Sequence, residues 1–114
     1  MYKLAFYVPE THCEAVKAAV FATGAGRLGD YEGCCFQTRG EGQFRPLDGA
    51  DPHIGKVGDL TKIEEIKVEL VCEEARIREA IAALLTAHPY ETPAYDVWPL
   101  SDLASLPGPQ AEPK

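Results

Sequence analysis

The stretch KIEEIKVELVCEEARIREAIAALLTAHPYETPAYDVWPL, residues 62–100, changes its hydrophobic period twice, and those changes decide the fold. Over residues 62–72 the period is two. Ile66, Val68, Leu70 and Cys72 point one way and Glu65, Lys67, Glu69 and Val71 the other, which predicts a strand. Ile77, Ala80, Ile81, Leu84 and Leu85 then form the apolar stripe of a helix. Glu73 and Glu74 stand in its first turn, where the helix dipole favours negative charge. His88-Pro89 ends it, because proline pushes the residue before it out of the helical region. The His88 ring is expected to cap the last carbonyls. Pro89 and Pro93 stiffen the joint, and residues 94–100 read as a further strand.

Working outward, Tyr2, Leu4, Phe6 and Val8 alternate with Lys3, Ala5 and Tyr7, so residues 2–8 form a strand that Pro9 stops. Thr11-His12-Cys13-Glu14 has capping-box spacing and opens a helix over 11–23, with Gly24 as its left-handed end. Residues 24–30 are turn-rich. Residues 31–38 read as a second strand, with Cys34, Phe36 and Thr38 on one face and Cys35 and Gln37 on the other. Gly40-Glu41-Gly42 is expected to bend sharply, and residues 43–45 to continue an edge strand. Residues 46–58 form a long loop, and loops of that length are more often functional than idle. The order strand, helix, strand, strand, helix, strand is the ferredoxin-like pattern, an α+β fold with two helices on one face of a four-stranded antiparallel sheet. The other face would carry Tyr7, Val71 and Trp98 or Tyr95, an apolar set expected to bury against other subunits. Residues 1–100 make this domain. Residues 101–114, rich in proline and polar side chains, read as a flexible extension.

A length of 114 residues suits one domain, which buries roughly two-thirds of its unfolded surface without staples. The net charge of −7 argues against nucleic acid or an anionic membrane as partner, since binding would release no counterions. The apolar runs are too short to span a bilayer, and a strand pattern rather than a leader follows Met1. Four cysteines then read as reduced thiols in a cytoplasmic protein.

Cys34 and Cys35 are adjacent, so on a strand they face opposite ways and cannot readily share one tetrahedral ion. All four cysteines read first as small buried hydrophobes. His12, His53 and His88 fall in separate segments with no ligand spacing, so a metal site would have to be assembled across subunits. Cys13 lies beside His12, but helix neighbours do not face each other, and Glu14 opposes thiolate formation. The glycine-bearing segments 40–46 and 49–58 offer Arg39, Arg45 and Lys56 to an anion, or pair them with Glu41, Asp48 or Asp51. In the crossover, Glu91 could meet a loop cation, while Tyr90 and Tyr95 have the apolar bodies and polar tips that suit interfaces.

HPYETPAYDVWPL resembles the HPY-x-x-P signature that CutA divalent-cation-tolerance proteins carry before their last core strand. It is more closely similar to the PII/CutA-like domain inserted in bacterial Nif-three-like proteins and also found as a free-standing short protein. The combination of FRP at 44–46, the GA-x-P-x-IG loop at 49–55 and HPYE-x-PAY at 88–95 carries that resemblance, which extends over about residues 2–100. It implies a ferredoxin-like fold that forms trimers with strand edges meeting between subunits. It does not imply catalysis, because the dimetal site of the full-length proteins belongs to a main domain that this sequence does not match. The CutA link implies copper or another divalent cation as ligand, with His88 at the matching position and Cys34 or Cys35 as helpers. The PII link implies a small ligand in clefts between subunits, near the long loop. The expectation is a non-catalytic homotrimeric binding or regulatory module. An anionic ligand would be held by Arg39, Arg45 and Lys56, with His88, Tyr90 and Glu91 at the cleft wall. The alternatives are a metal-dependent hydrolase and a protein that docks on a larger Nif-three-like relative.

Overall fold

A computed structural model describes residues 1–110. Strand β1 is Tyr2–Pro9, helix α1 Glu10–Phe21, β2 Phe36–Phe44, β3 Thr61–Cys72, α2 Ile77–Ala87 and β4 Tyr95–Pro99. The sheet order is β2-β3-β1-β4, with every neighbouring pair antiparallel. This is the α+β, ferredoxin-like arrangement that the two changes of period predict.

Period-two alternation builds the core. Leu4, Phe6 and Val8 of β1 and Ile66, Val68, Leu70 and Cys72 of β3 are buried beneath the helices. They meet Cys13, Val16 and Val20 of α1 and Ile77, Ala80 and Leu84 of α2. Each large side chain so buried contributes about 1.5–3 kcal/mol. Cys13 and Cys72 pack as small hydrophobes, as expected, and burial raises both thiols above their ordinary pKa, whereas Cys34 and Cys35 precede β2 and are only partly buried.

The boundaries differ from expectation in instructive places. Helix α1 starts at Glu10 directly from Pro9, and the expected capping box does not form: Thr11 Oγ1 pairs instead with His12 Nδ1 at 2.9 Å. Pro9 is still in register with Glu65, so strand passes to helix with no intervening residue to serve as cap. The second strand is Phe36–Phe44, not 31–38, and it runs straight through the expected bend at Gly40 and Gly42. Tyr31 instead closes a tight turn with Leu28 through two 2.9 Å backbone bonds. Helix α2 is preceded by a 3₁₀ turn at Glu74–Arg76.

Register assigns the faces. Tyr95 stands opposite Phe6 and Val97 opposite Leu4, so both face the helices; Trp98 stands opposite Lys3 on the helix-free face. Of the two candidates for that face, Trp98 is on it and Tyr95 is not. The face is also less apolar than expected. Lys3, Glu65, Lys67 and Glu69 are interleaved with Ala5, Tyr7, Val71 and Trp98, and Glu69 lies 3.7 Å from Lys3 and 3.6 Å from Lys67.

Beyond β4 the chain makes a short 3₁₀ turn, Leu103–Ser105, whose Ser105 N–H donates to Asp102 Oδ1 at 2.9 Å. The expected flexible extension runs on into residues 111–114, which lie outside the described residues. Among the described residues no helix is long and apolar enough to cross a membrane.

Candidate functional site

A cleft of about 430 Å³ opens on the helix-free face, where the end of β2, the start of β3 and the crossover after α2 meet. Period-two geometry aims Glu65 of β3 and Tyr7 of β1 into it. Phe44 closes one side, the long loop contributes Ile54, and the crossover contributes Tyr90 and Ala94.

Tyr90 is the hub. Its hydroxyl donates to Glu65 Oε2 at 3.1 Å. Burial first, and the Glu65 carboxylate second, push its phenol well above the ordinary range, so it remains a donor. Its ring lies 4.7 Å from that of His88 and 6.3 Å from that of Phe44, centroid to centroid. The Glu65 side chain crosses the backbone of Gly42, where a Cβ would collide with its carboxylate. This explains a glycine inside a strand: it permits close approach rather than a bend.

His88 latches the crossover to the sheet. Nε2 lies 2.7 Å from the Tyr7 carbonyl oxygen, and Nδ1 lies 3.1 Å from the Tyr90 N–H. A carbonyl only accepts and an N–H only donates, so the proton sits on Nε2, Nδ1 is bare and the ring is neutral. Burial, opposed by the Tyr7 hydrogen bond, holds its pKa below the ordinary imidazole value. The expected role as a helix cap is not taken up by the ring; the helix-ending bond comes from the His88 backbone N–H to Leu84. Glu91 meets no loop cation. Its Oε1 accepts from the Asp51 backbone N–H at 2.9 Å, tying the long loop to the crossover.

The expected anion cradle is not brought together. Arg39 projects to the helix side of β2, where its guanidinium grips the Glu10 carboxylate and lies 3.8 Å from Glu64. That grip lowers the Glu10 pKa and raises that of Arg39. Arg45 and Lys56 are exposed, and neither lines the cleft. The charges at the cleft are those of Glu65 and Glu91.

Nor does the structure join His88 to Cys34 and Cys35. Cys34 N–H donates to Gly26, whose own N–H reaches Val71, opposite Lys3. His88 sits at Tyr7, four residues further along β1, roughly 13 Å away. Among the described residues no three His, Cys, Asp or Glu side chains converge as a metal site. His88 and His53 nevertheless flank Tyr90, and His12 adjoins His53. The His12 and His53 rings stand edge to face at 5.5 Å, and His53 is 6.2 Å from Tyr90. Sequence reasoning missed this gathering, along with Glu65, Tyr7 and Phe44, because the residues lie on four elements with no local spacing.

No family model matches the chain. It is 43% identical over 102 residues to a protein of Halalkalibacterium halodurans named GTP cyclohydrolase 1 type 2 homolog, covering 90% of this chain and 27% of that protein. Among solved structures, a Bacillus cereus protein related to NIF3 matches with a TM-score of 0.77 at 40% identity, over 89% of this chain and 26% of that one. The chain resembles one segment of the Nif-three-like proteins. It spans about a quarter of the length of those relatives. The periplasmic divalent cation tolerance protein CutA of Archaeoglobus fulgidus matches with a TM-score of 0.64 over 90% of this chain and 86% of its own. At 13% identity that likeness shows a shared fold alone.

Proposed function

We propose that the chain is a non-catalytic, self-associating binding module whose ligand enters the cleft between Tyr7, Phe44 and Tyr90. The pinned geometry of that cleft carries the reading. Tyr90 is fixed by His88 and Glu65, and the loop above is tied down by Glu91, so the walls stand ready before anything binds. Residues 1–100 form the working domain and residues 101–114 an extension.

Self-association, with a trimer favoured, is supported by the helix-free face and by β2, an edge strand with one unpaired side. Light scattering across a wide concentration range tests it: a mass of three chains is expected, and a lone protomer at every concentration overturns it. Binding is tested by thermal shift against amines, nucleotides and divalent metals, since a ligand that binds only the native state raises the melting temperature. A flat response to every compound removes the ligand.

A second reading rests on the likeness to one segment of the Nif-three-like proteins: the module docks on a larger protein of that kind. Titrating a purified Nif-three-like protein against this chain by calorimetry would detect that complex. The GTP cyclohydrolase in the relatives' name and the divalent cation in that of CutA are weaker readings for this chain. Both ring nitrogens of His88 are already engaged within the fold.

A further inference from the structure

Glu65 is a carboxylate set into a largely apolar cleft. An ionised carboxylate offers about four acceptor positions. Tyr90 occupies one, on Oε2. Among the described residues no lysine or arginine lies within ion-pair distance of Glu65, while its strand neighbours Glu64, Lys67 and Glu69 all have ion partners. A half-buried charge left this way calls for a donor. The carboxylate is also fixed in place: Tyr90 holds one oxygen, and the side chain lies flat across Gly42. Around it stand the rings of Phe44 and Tyr90, whose faces attract cations, and that of Tyr7, which already has the Lys67 ammonium 6.0 Å from its centroid. The other charge at the rim is Glu91, also an acid.

We infer that the cleft selects a small organic cation, a flat apolar body carrying an ammonium or amidinium group that docks on Glu65, and that it rejects anions. The inference rests on the reading of the cleft as a binding site and names the ligand class that the site takes. Its polarity is the reverse of the anion site expected from Arg39, Arg45 and Lys56. The volume of about 430 Å³ accommodates a one- or two-ring compound with a short side chain.

Three probes of one shape separate the possibilities: tryptamine (cationic), indole (neutral) and indole acetate (anionic). Each is titrated into the isotope-labelled full chain, with the backbone amide signals of Phe44, Tyr90 and Ala94 followed by NMR. Tryptamine is expected to move these signals and to bind at least roughly tenfold more tightly than indole, as one charge-assisted hydrogen bond implies. Indole acetate should bind more weakly than either. Glu65→Gln should abolish the tryptamine advantage while indole still binds. Tyr90→Phe, which removes only the hydroxyl and opens one more acceptor on Glu65, should preserve or widen the advantage; a narrowed advantage would overturn the ligand class, which keeps the test decisive if Glu65→Gln is poorly folded. Indole acetate binding as well as tryptamine would overturn the ligand class and leave the cleft standing as a site. If no probe moves these signals, the binding reading itself falls.

Discussion

At the scale of single residues, the most consequential is His88. Its neutral ring accepts from one backbone group and donates to another, so a proton on Nδ1 would face the Tyr90 N–H and remove an acceptor. The folded-state pKa lies below the unfolded value, so the folded protein binds fewer protons than the unfolded chain. The stability it contributes is therefore present above about pH 6.5 and lost as the pH falls through the folded pKa. Melting temperature is expected to drop between pH 7.5 and 5. His88→Asn should be less stable at pH 7.5 by about 1–3 kcal/mol, the cost of orphaning buried polar groups. It should also show a shallower acid slope than the parent, and an unchanged slope would remove His88 as the cause. The local sequence made His88-Pro89 legible as a helix stop, and that role stands. Its partner, the Tyr7 carbonyl, lies 81 residues away, and no spacing in the chain announces such a contact.

At the scale of elements, β3 and α2 were legible because each buries one face, and burial imposes a period. Strand β2 was not. Its residues are mostly exposed on both faces, so its side chains carry no alternation to read. Its pairing comes from the β3 backbone, and its Gly42 makes room for Glu65 rather than for a turn. The candidate site was legible only in its crossover half, Tyr90 and Glu91, because those residues stand in one conspicuous run. The other half depended on which residues the register set side by side. The long loop is anchored by a carboxylate-to-backbone bond rather than by the expected ion pair. Glu91→Ala should therefore loosen residues 47–54 with little change in global stability, because an exposed tie is worth about 1 kcal/mol. Hydrogen exchange would register this as faster exchange at Asp51 and its neighbours, with the rates in β1 and β3 unchanged. Equal protection in the variant would remove the tie as the cause of loop order.

At the scale of the whole molecule, two helices cover one face of the sheet and leave the other mixed in character. Had that face been continuous hydrocarbon, association would be close to obligatory. For the proposed self-association, the Lys3, Lys67 and Glu69 charges on that face predict a weaker, salt-sensitive assembly. Trp98, which is 40% exposed there, is the natural place to interrupt it. Trp98→Lys is expected to lower the mass seen by light scattering while leaving the circular dichroism of the protomer unchanged. An unchanged mass would move the interface to the open edge of β2.

The attachment of the crossover to β1 has a last consequence. Tyr7 gives its N–H to Ala94 and its carbonyl to the His88 ring, so beyond the last β4 rung the central strand is completed by what looks from sequence like a mere connector. Residues 88–94 thus behave as a splint on the sheet. Any graft, tag or cleavage site engineered into this protein belongs at the exposed turn around residues 47–49, where such a change would leave every rung of the central strand intact.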